Sequence, residues 1–266
     1  MKSCAYCGMP GVMTKEHIWA ASLIRKYNDL LTYNKSNHKF YKGEAVVKDV
    51  CANCNNVVLG RLDNYLSGLF DKAFQRFLTP GETAVLEYDY DLLLRVLLKI
   101  SYNSARSVGN EKASKHLKKF VRYILEGTHR GSIMLRLQIV TSSRKVDVEG
   151  NVQGLLNPEI LRSGEIPYDG VLADRFMVRM VAINCFWFYI ISPYKNESAH
   201  KWKAFLQGFI QQEGMMRPGV VVGPTVNRMI IPPNKTTYFH PVLYDNLLSA
   251  DHPNNRDFQE QLDQLN

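Results

Sequence analysis

The sequence predicts an α+β protein, and three patterns carry that prediction. Apolar residues recur at helical spacing over residues 55–77 and 91–127. From residue 131 the period changes to the alternation of strands, and short β-branched runs follow as far as residue 231. Near the start, two β-branched segments each lie beside a Cys-x-x-Cys pair, Cys4–Cys7 and Cys51–Cys54, with 43 residues between the pairs.

In chain order, Gly8 and Pro10–Gly11 supply a turn after the first cysteines, and Thr14–Ile18 reads as a strand. Ala20–Lys26 begins a helix or loop, and residues 27–44 read as a long polar and aromatic excursion. Ala45–Val50 is the second strand and leads into Cys51. The next helix places Val58, Leu62, Tyr65, Leu66, Leu69, Phe70, Ala73 and Phe77 along one face. Thr79–Pro80–Gly81 marks the expected boundary between a first unit, residues 1–80, and a second, residues 81–266.

Asp91 is the expected cap of a buried helix running from Leu92 to Tyr102, and Asn110 the cap of a helix that Gly127 ends. That second helix opposes Leu117, Phe120, Val121, Ile124 and Leu125 to Lys112, Lys115, Lys118, Lys119 and Arg122, so residues 91–127 form a basic helical part. Residues 131–266 read as mixed. Ile133–Ile139 alternates, residues 176–191 are rich in aromatic and β-branched residues, and 196–212 return to helical spacing. Val220–Val222 and Met229–Ile231 are short strands bounded by prolines, and the last 16 residues are polar.

The charge is uneven. Lys and Arg number 33 against 25 Asp and Glu, and residues 1–130 hold 20 against 12, so the whole excess of +8 lies in the first half. A basic half beside a neutral half points to a polyanionic partner on the N-terminal side. Met180–Tyr194, the longest uncharged stretch, is too short for a membrane span, and no apolar run occupies the N-terminus as a secretory signal. Of five cysteines, four have metal-type spacing, which fits a reducing cytoplasm. The fifth, Cys185, is expected to be a small buried apolar residue.

A two-residue spacer lets both sulfurs of a pair face one ion, and four thiolates make the tetrahedral shell that structural zinc prefers. Between the pairs stands Glu16–His17. A neutral imidazole near pH 7 can take a proton from water, and carboxylate or amide oxygens suit a hard cation.

Cys4 and Cys7, Glu16–His17–Ile18, and Cys51-x-x-Cys54–Asn55 together resemble the HNH, or ββα-metal, endonuclease family, in its branch with a four-cysteine zinc knuckle. The resemblance covers about the first quarter of the chain. It implies a treble-clef-like HNH domain that cuts phosphodiester bonds in DNA, with structural zinc on Cys4, Cys7, Cys51 and Cys54. It also implies His17 as general base, with Glu16 and Asn55 holding catalytic Mg²⁺ or Mn²⁺. Asn56 is the rival to Asn55. Adjacent strand residues point to opposite faces, so Glu16 and His17 reach one ion only through a local twist. The asparagine that usually orients the base is missing from Glu44–Lys48. A backbone carbonyl, Asn37 or His38 stands in for it. Residues 81–266 are left for targeting, regulation or assembly with a protein partner. The alternative readings are a non-catalytic zinc-knuckle nucleic-acid-binding protein, and a ribonuclease or a nuclease subunit that needs a partner.

Overall fold

A computed structural model describes residues 2–27, 31–34, 39–42, 45–146, 149, 151–211, 219–224 and 227–231. Asn37, His38 and the polar last 16 residues lie outside the described residues. Helices and strands are mixed along the chain, as an α+β sequence requires.

The N-terminal part opens with β1 (Met13–His17), a single turn α1 (Ala21–Ile24), and a hairpin of β2 (Leu31–Asn34) and β3 (Lys39–Lys42) within the expected excursion. Strand β4 (Val46–Cys51) returns antiparallel to β1, pairing Met13 with Cys51 and His17 with Val46. The register slips between Thr14 and Glu16, one irregularity in a five-residue strand. The helix that follows has wide, π-type turns at Asn53–Leu59, a regular segment α2 (Gly60–Leu69), and a second π-type turn at Phe70–Phe74. Cys54, Leu59, Leu62, Leu66, Leu69, Phe70 and Phe74 are its buried residues.

Strand β5 (Ala84–Glu87) precedes α3 (Tyr90–Ser107), the longest run of regular α-helix among the described residues. Its cap is Asp89, whose side chain accepts the Leu92 N–H at 2.9 Å. Asp91, the expected cap, lies two residues further on, within the first turn, and pairs with Arg95 instead. Asn110 caps α4 (Glu111–Leu117) as expected, accepting from Ala113 N at 3.0 Å. A 3₁₀ turn at Lys118–Phe120 separates α4 from α5 (Val121–Glu126), which Gly127 ends at φ 75°. Lys112, Lys115, Lys118, Lys119 and Arg122 are all exposed, opposite buried Leu117, Phe120, Val121 and Ile124.

The larger sheet is built from β6 (Met134–Ile139), then, after the small hairpin of β7 (Ser143–Val146) and β8 (Val152–Leu156), from β9 (Leu161–Glu165), β10 (Phe176–Ile183) and β11 (Phe186–Pro193). Beyond α6 (Ala199–Gln211) come β12 (Val220–Val222), which joins the same sheet, and β13 (Arg228–Ile231), which pairs with β5. The sheet order is β12-β6-β11-β10-β9, antiparallel throughout. The aromatic stretch 176–191 is therefore a hairpin. It turns at Asn184, whose φ of 50° suits asparagine better than most residues.

Strands β10 and β11 are buried on both faces, which explains their continuous apolar run. Met177, Val181, Ile183, Phe188 and Ile190 join the core shared with α2 and α3. Val178, Met180, Trp187, Tyr189 and Ile191 pack beneath Phe205 and Phe209 of α6. That first core is continuous from Cys4 to Ile231, so apolar packing does not break near Thr79. Cys185 is fully buried, as expected, and its sulfur accepts the Leu78 N–H at 3.2 Å. No described helix is long and apolar enough to cross a membrane.

Candidate metal centre and the adjoining strand

The two ends of the β1–β4 unit bring the four cysteines together. Cys4 N donates to Met9 O and Gly8 N to Cys4 O, closing the first knuckle around Gly8, whose φ is 74°. Ala5 N donates to Asp49 O, laying this loop along β4, and Cys51 and Cys54 follow where β4 enters the helix.

The sulfurs of Cys4, Cys7, Cys51 and Cys54 all lie within 4.8 Å of one another. Cys7 Sγ and Cys51 Sγ are 3.7 Å apart. A tetrahedral zinc with bonds of ~2.3 Å separates its sulfurs by roughly 3.8 Å, so the spacing is that of a zinc shell.

Their electrostatics point the same way. Burial raises the Cys4 thiol, but the Cys51, Cys7 and Tyr6 amides outweigh it and bring it down to about 7. Burial and the neighbouring sulfurs push Cys54 well above the ordinary thiol range, and burial raises Cys7. Four thiols this close cannot all ionise without a cation among them, and a bound cation removes that conflict. Among the described residues, this is the one group of three or more His, Cys, Asp or Glu side chains able to hold a metal.

Asn55 follows the knuckle and turns back onto β1. Its Nδ2 donates to Thr14 Oγ1 and to Lys15 O, both at 2.8 Å. The start of the helix thus faces the strand that carries His17. Asn56, one position further on, is exposed.

Glu16 and His17 part company. The Glu16 side chain is only 2 % exposed, and its Oε1 lies 2.6 Å from the Lys99 ammonium of α3. Burial pushes this carboxyl above its ordinary value, and Lys99 pulls it back. His17 is half-buried, and its carbonyl accepts from Lys99 Nζ at 2.8 Å. The strand alternation noted in the sequence therefore stands, and the irregularity at Thr14–Glu16 does not turn Glu16 away from the interior.

Sequence reasoning missed the residues beneath β1. Lys99, Asn103 and Arg106 stand at i, i+4 and i+7 of α3, one polar stripe on a helix otherwise buried among apolar residues. Asn103 Nδ2 donates to Glu16 Oε1 and to His17 O, both at 3.3 Å, while its Oδ1 accepts from Tyr6 OH at 2.7 Å and from Arg106 at 2.6 Å. Arg106 pairs with Asp49 of β4 and lies over the rings of Tyr6 and Tyr102. Asp63 of α2 takes Lys99 as its ion-pair partner, at 2.9 Å. The signal was a lysine inside an apolar helix, with polar residues four and seven positions further on.

Glu16 in this setting does not fit a divalent cation, because its carboxylate is enclosed and already has a cation of the chain's own. Asn55 fits better, since both of its bonds to β1 use only the amide nitrogen. Comparison with known proteins gives no matching family model, no matching curated protein and no matching solved structure.

Proposed function

We propose that the protein is an HNH-type endonuclease that hydrolyses phosphodiester bonds in DNA, with His17 as the general base. One observation carries this reading. The four-cysteine centre and the Asn55 bonds together hold the helix start against the strand that ends in His17. Hydrolysis requires a proton acceptor for the attacking water and neutralisation of charge on the phosphate. His17 is the only imidazole on that strand. In this reading Mg²⁺ or Mn²⁺ supplies the neutralisation, and Asn55 is the residue of this chain left to hold it. Zinc holds the loops and takes no part in the reaction. The exposed basic face of α4 and α5 offers phosphate contacts without sequence preference.

The burial of Glu16 against Lys99 favours a second reading, a zinc-knuckle nucleic-acid-binding protein without catalysis. Plasmid nicking with Mg²⁺ or Mn²⁺, native protein against His17→Ala, separates the two, with RNA substrates run in parallel. His17→Ala is expected to lower cleavage ~10²–10⁴-fold while the melting temperature and DNA retention in a gel stay near native. Native protein that retains DNA and never cuts it would leave the binding reading in place.

A further inference from the structure

The surroundings of Lys99 give Glu16 a different task from the one its motif implies. Five oxygens lie within 3.5 Å of Lys99 Nζ. They are Glu16 Oε1 at 2.6 Å, His17 O at 2.8 Å, Asp63 Oδ1 and Oδ2 at 2.9 and 3.3 Å, and Ile18 O at 3.5 Å. An ammonium has three protons and no acceptor, so Glu16, Asp63 and the His17 carbonyl saturate it. Lys99 is fully buried, which leaves no room for its head to exchange with solvent. Carboxylates and carbonyls around one positive centre form the donor set of a hard cation, and here the chain supplies that cation itself.

We propose that Lys99 is the fixed cation of this site and a positioning residue for His17, and that Glu16 serves Lys99 rather than a divalent ion. The part that concerns His17 rests on the nuclease reading above. The clamp works through the backbone. Lys99 and Asn103 both donate to the carbonyl of His17, from the same face of α3. Glu16 binds both donors on its other side, so the peptide of His17 is held by two side chains that a carboxylate holds in turn. Tyr6, between the cysteines of the first knuckle, closes the same network through Asn103. Strand β1 is thereby fixed between the zinc loop and α3, with the base on the strand's last residue. A ligand to an ion beside the His17 imidazole would need its carboxylate on the same face of β1 as that ring. A clamp needs it inside, where it is.

The test uses the zinc-loaded full chain and four proteins: native, Glu16→Gln, Lys99→Met and the double variant. Cleavage rate is titrated against Mg²⁺, and amide hydrogen exchange is followed across residues 13–20. The clamp predicts that Glu16→Gln lowers the maximal rate about tenfold or more while the half-saturating Mg²⁺ concentration stays within about twofold. Exchange across 13–20 should quicken by about tenfold or more in each single variant. The double variant should be little worse than either, because both remove one device. A half-saturating Mg²⁺ concentration raised tenfold at unchanged maximal rate would make Glu16 a metal ligand and overturn the proposal. Unchanged exchange in Glu16→Gln would overturn it as well. That second readout needs no cleavage, so a native protein silent on both DNA and RNA would remove the nuclease reading and leave the clamp to be decided by exchange. Glu16→Gln keeps the shape and the hydrogen-bonding oxygen of glutamate, so the test survives a Lys99→Met protein that fails to fold.

Discussion

Acid should destabilise this protein through His116, by an amount that its surroundings fix. The imidazole is 3 % exposed, edge-on to Phe120 and Tyr194, with Nε2 2.9 Å from Ser192 Oγ and Nδ1 without a partner. Burial, and then the charge of Lys119, bring its pKa down to about 4, against ~6.5 in an unfolded chain. The folded state therefore binds the proton later than the unfolded one as pH falls. The stability is fully present above pH ~6.5 and is lost progressively on the way down to pH ~4. The full difference is about 3 kcal/mol, at ~1.4 kcal/mol per pH unit. At pH 5 the unfolded imidazole is almost wholly charged and the folded one about a tenth charged, so about 2 kcal/mol has gone. With a urea slope of ~2–3 kcal/mol/M, that moves the unfolding midpoint by roughly 0.7–1 M. The assay compares urea midpoints at pH 7.5 and 5.0 for native protein and His116→Gln, which keeps a polar group near Ser192 and cannot charge. The cysteine centre also weakens in acid, but both proteins share it and the subtraction removes it. Equal losses in the two proteins between those pH values would refute the argument.

Other outcomes follow from the same geometry. Native protein should hold close to one equivalent of zinc, and Cys51→Ser should lose it together with the folded structure of residues 2–27 and 45–60, read by zinc content and amide exchange. Asn55→Ala removes two bonds to β1 and should destabilise by about 1–3 kcal/mol with a fall in cleavage that added Mg²⁺ repairs poorly. Asn56→Ala, at an exposed position, should stay within about 0.5 kcal/mol of native. Residues 1–80 expressed alone with zinc should show no cooperative melting, because Leu62, Leu66 and Phe74 would lose the partners of their shared core; a sharp transition from that fragment would show an independent N-terminal unit.

Much of this was legible because it is local. The Cys-x-x-Cys spacings, the β1–β4 strands, the Asn110 cap, the alternation at 133–139 and the short strands at 220–222 and 229–231 each rest on residues close in sequence. The misplaced helix cap shows the limit even there. Asp89 and Asp91 both precede the apolar run, and only backbone geometry decides that Asp89 accepts the Leu92 N–H while Asp91 reaches Arg95. What the sequence hid is non-local. Glu16 meets a lysine on a helix 83 positions further on, and hydropathy reads that helix as uniformly buried. The sheet order, with β12 beside β6, is equally a matter of distant pairing. Asn184 was visible as a polar break in an apolar run. Its role was not: it accepts from Tyr27 OH, donates to the Phe74 carbonyl, and so ties the N-terminal part to the β10–β11 turn.

The polar stripe of α3 changes what the first quarter of the chain can be. A buried ion pair is weak evidence of stability, since apolar residues of the same volume often hold a core as well or better. What Lys99, Asn103 and Arg106 provide that apolar residues cannot is direction. Each bonds to a named atom of β1, β4 or the loop between Cys4 and Cys7, so the strand has one register against the helix. Arg179 of β10 offers a contrast on the same helix's sheet-facing side. It is equally buried, and among the described residues its hydrogen bonds to Ser101 O and Ser104 Oγ are long, at 3.4 and 3.5 Å, its Nε has no hydrogen-bond partner, and Glu165 of β9 acts on it through charge. One face of α3 is thus tightly specified where it meets the strand of His17, and loosely satisfied where it meets the sheet. A helix that served only as core filling would show no such asymmetry. Its polar stripe makes residues 90–107 part of the candidate site, although the motif ends at Asn55.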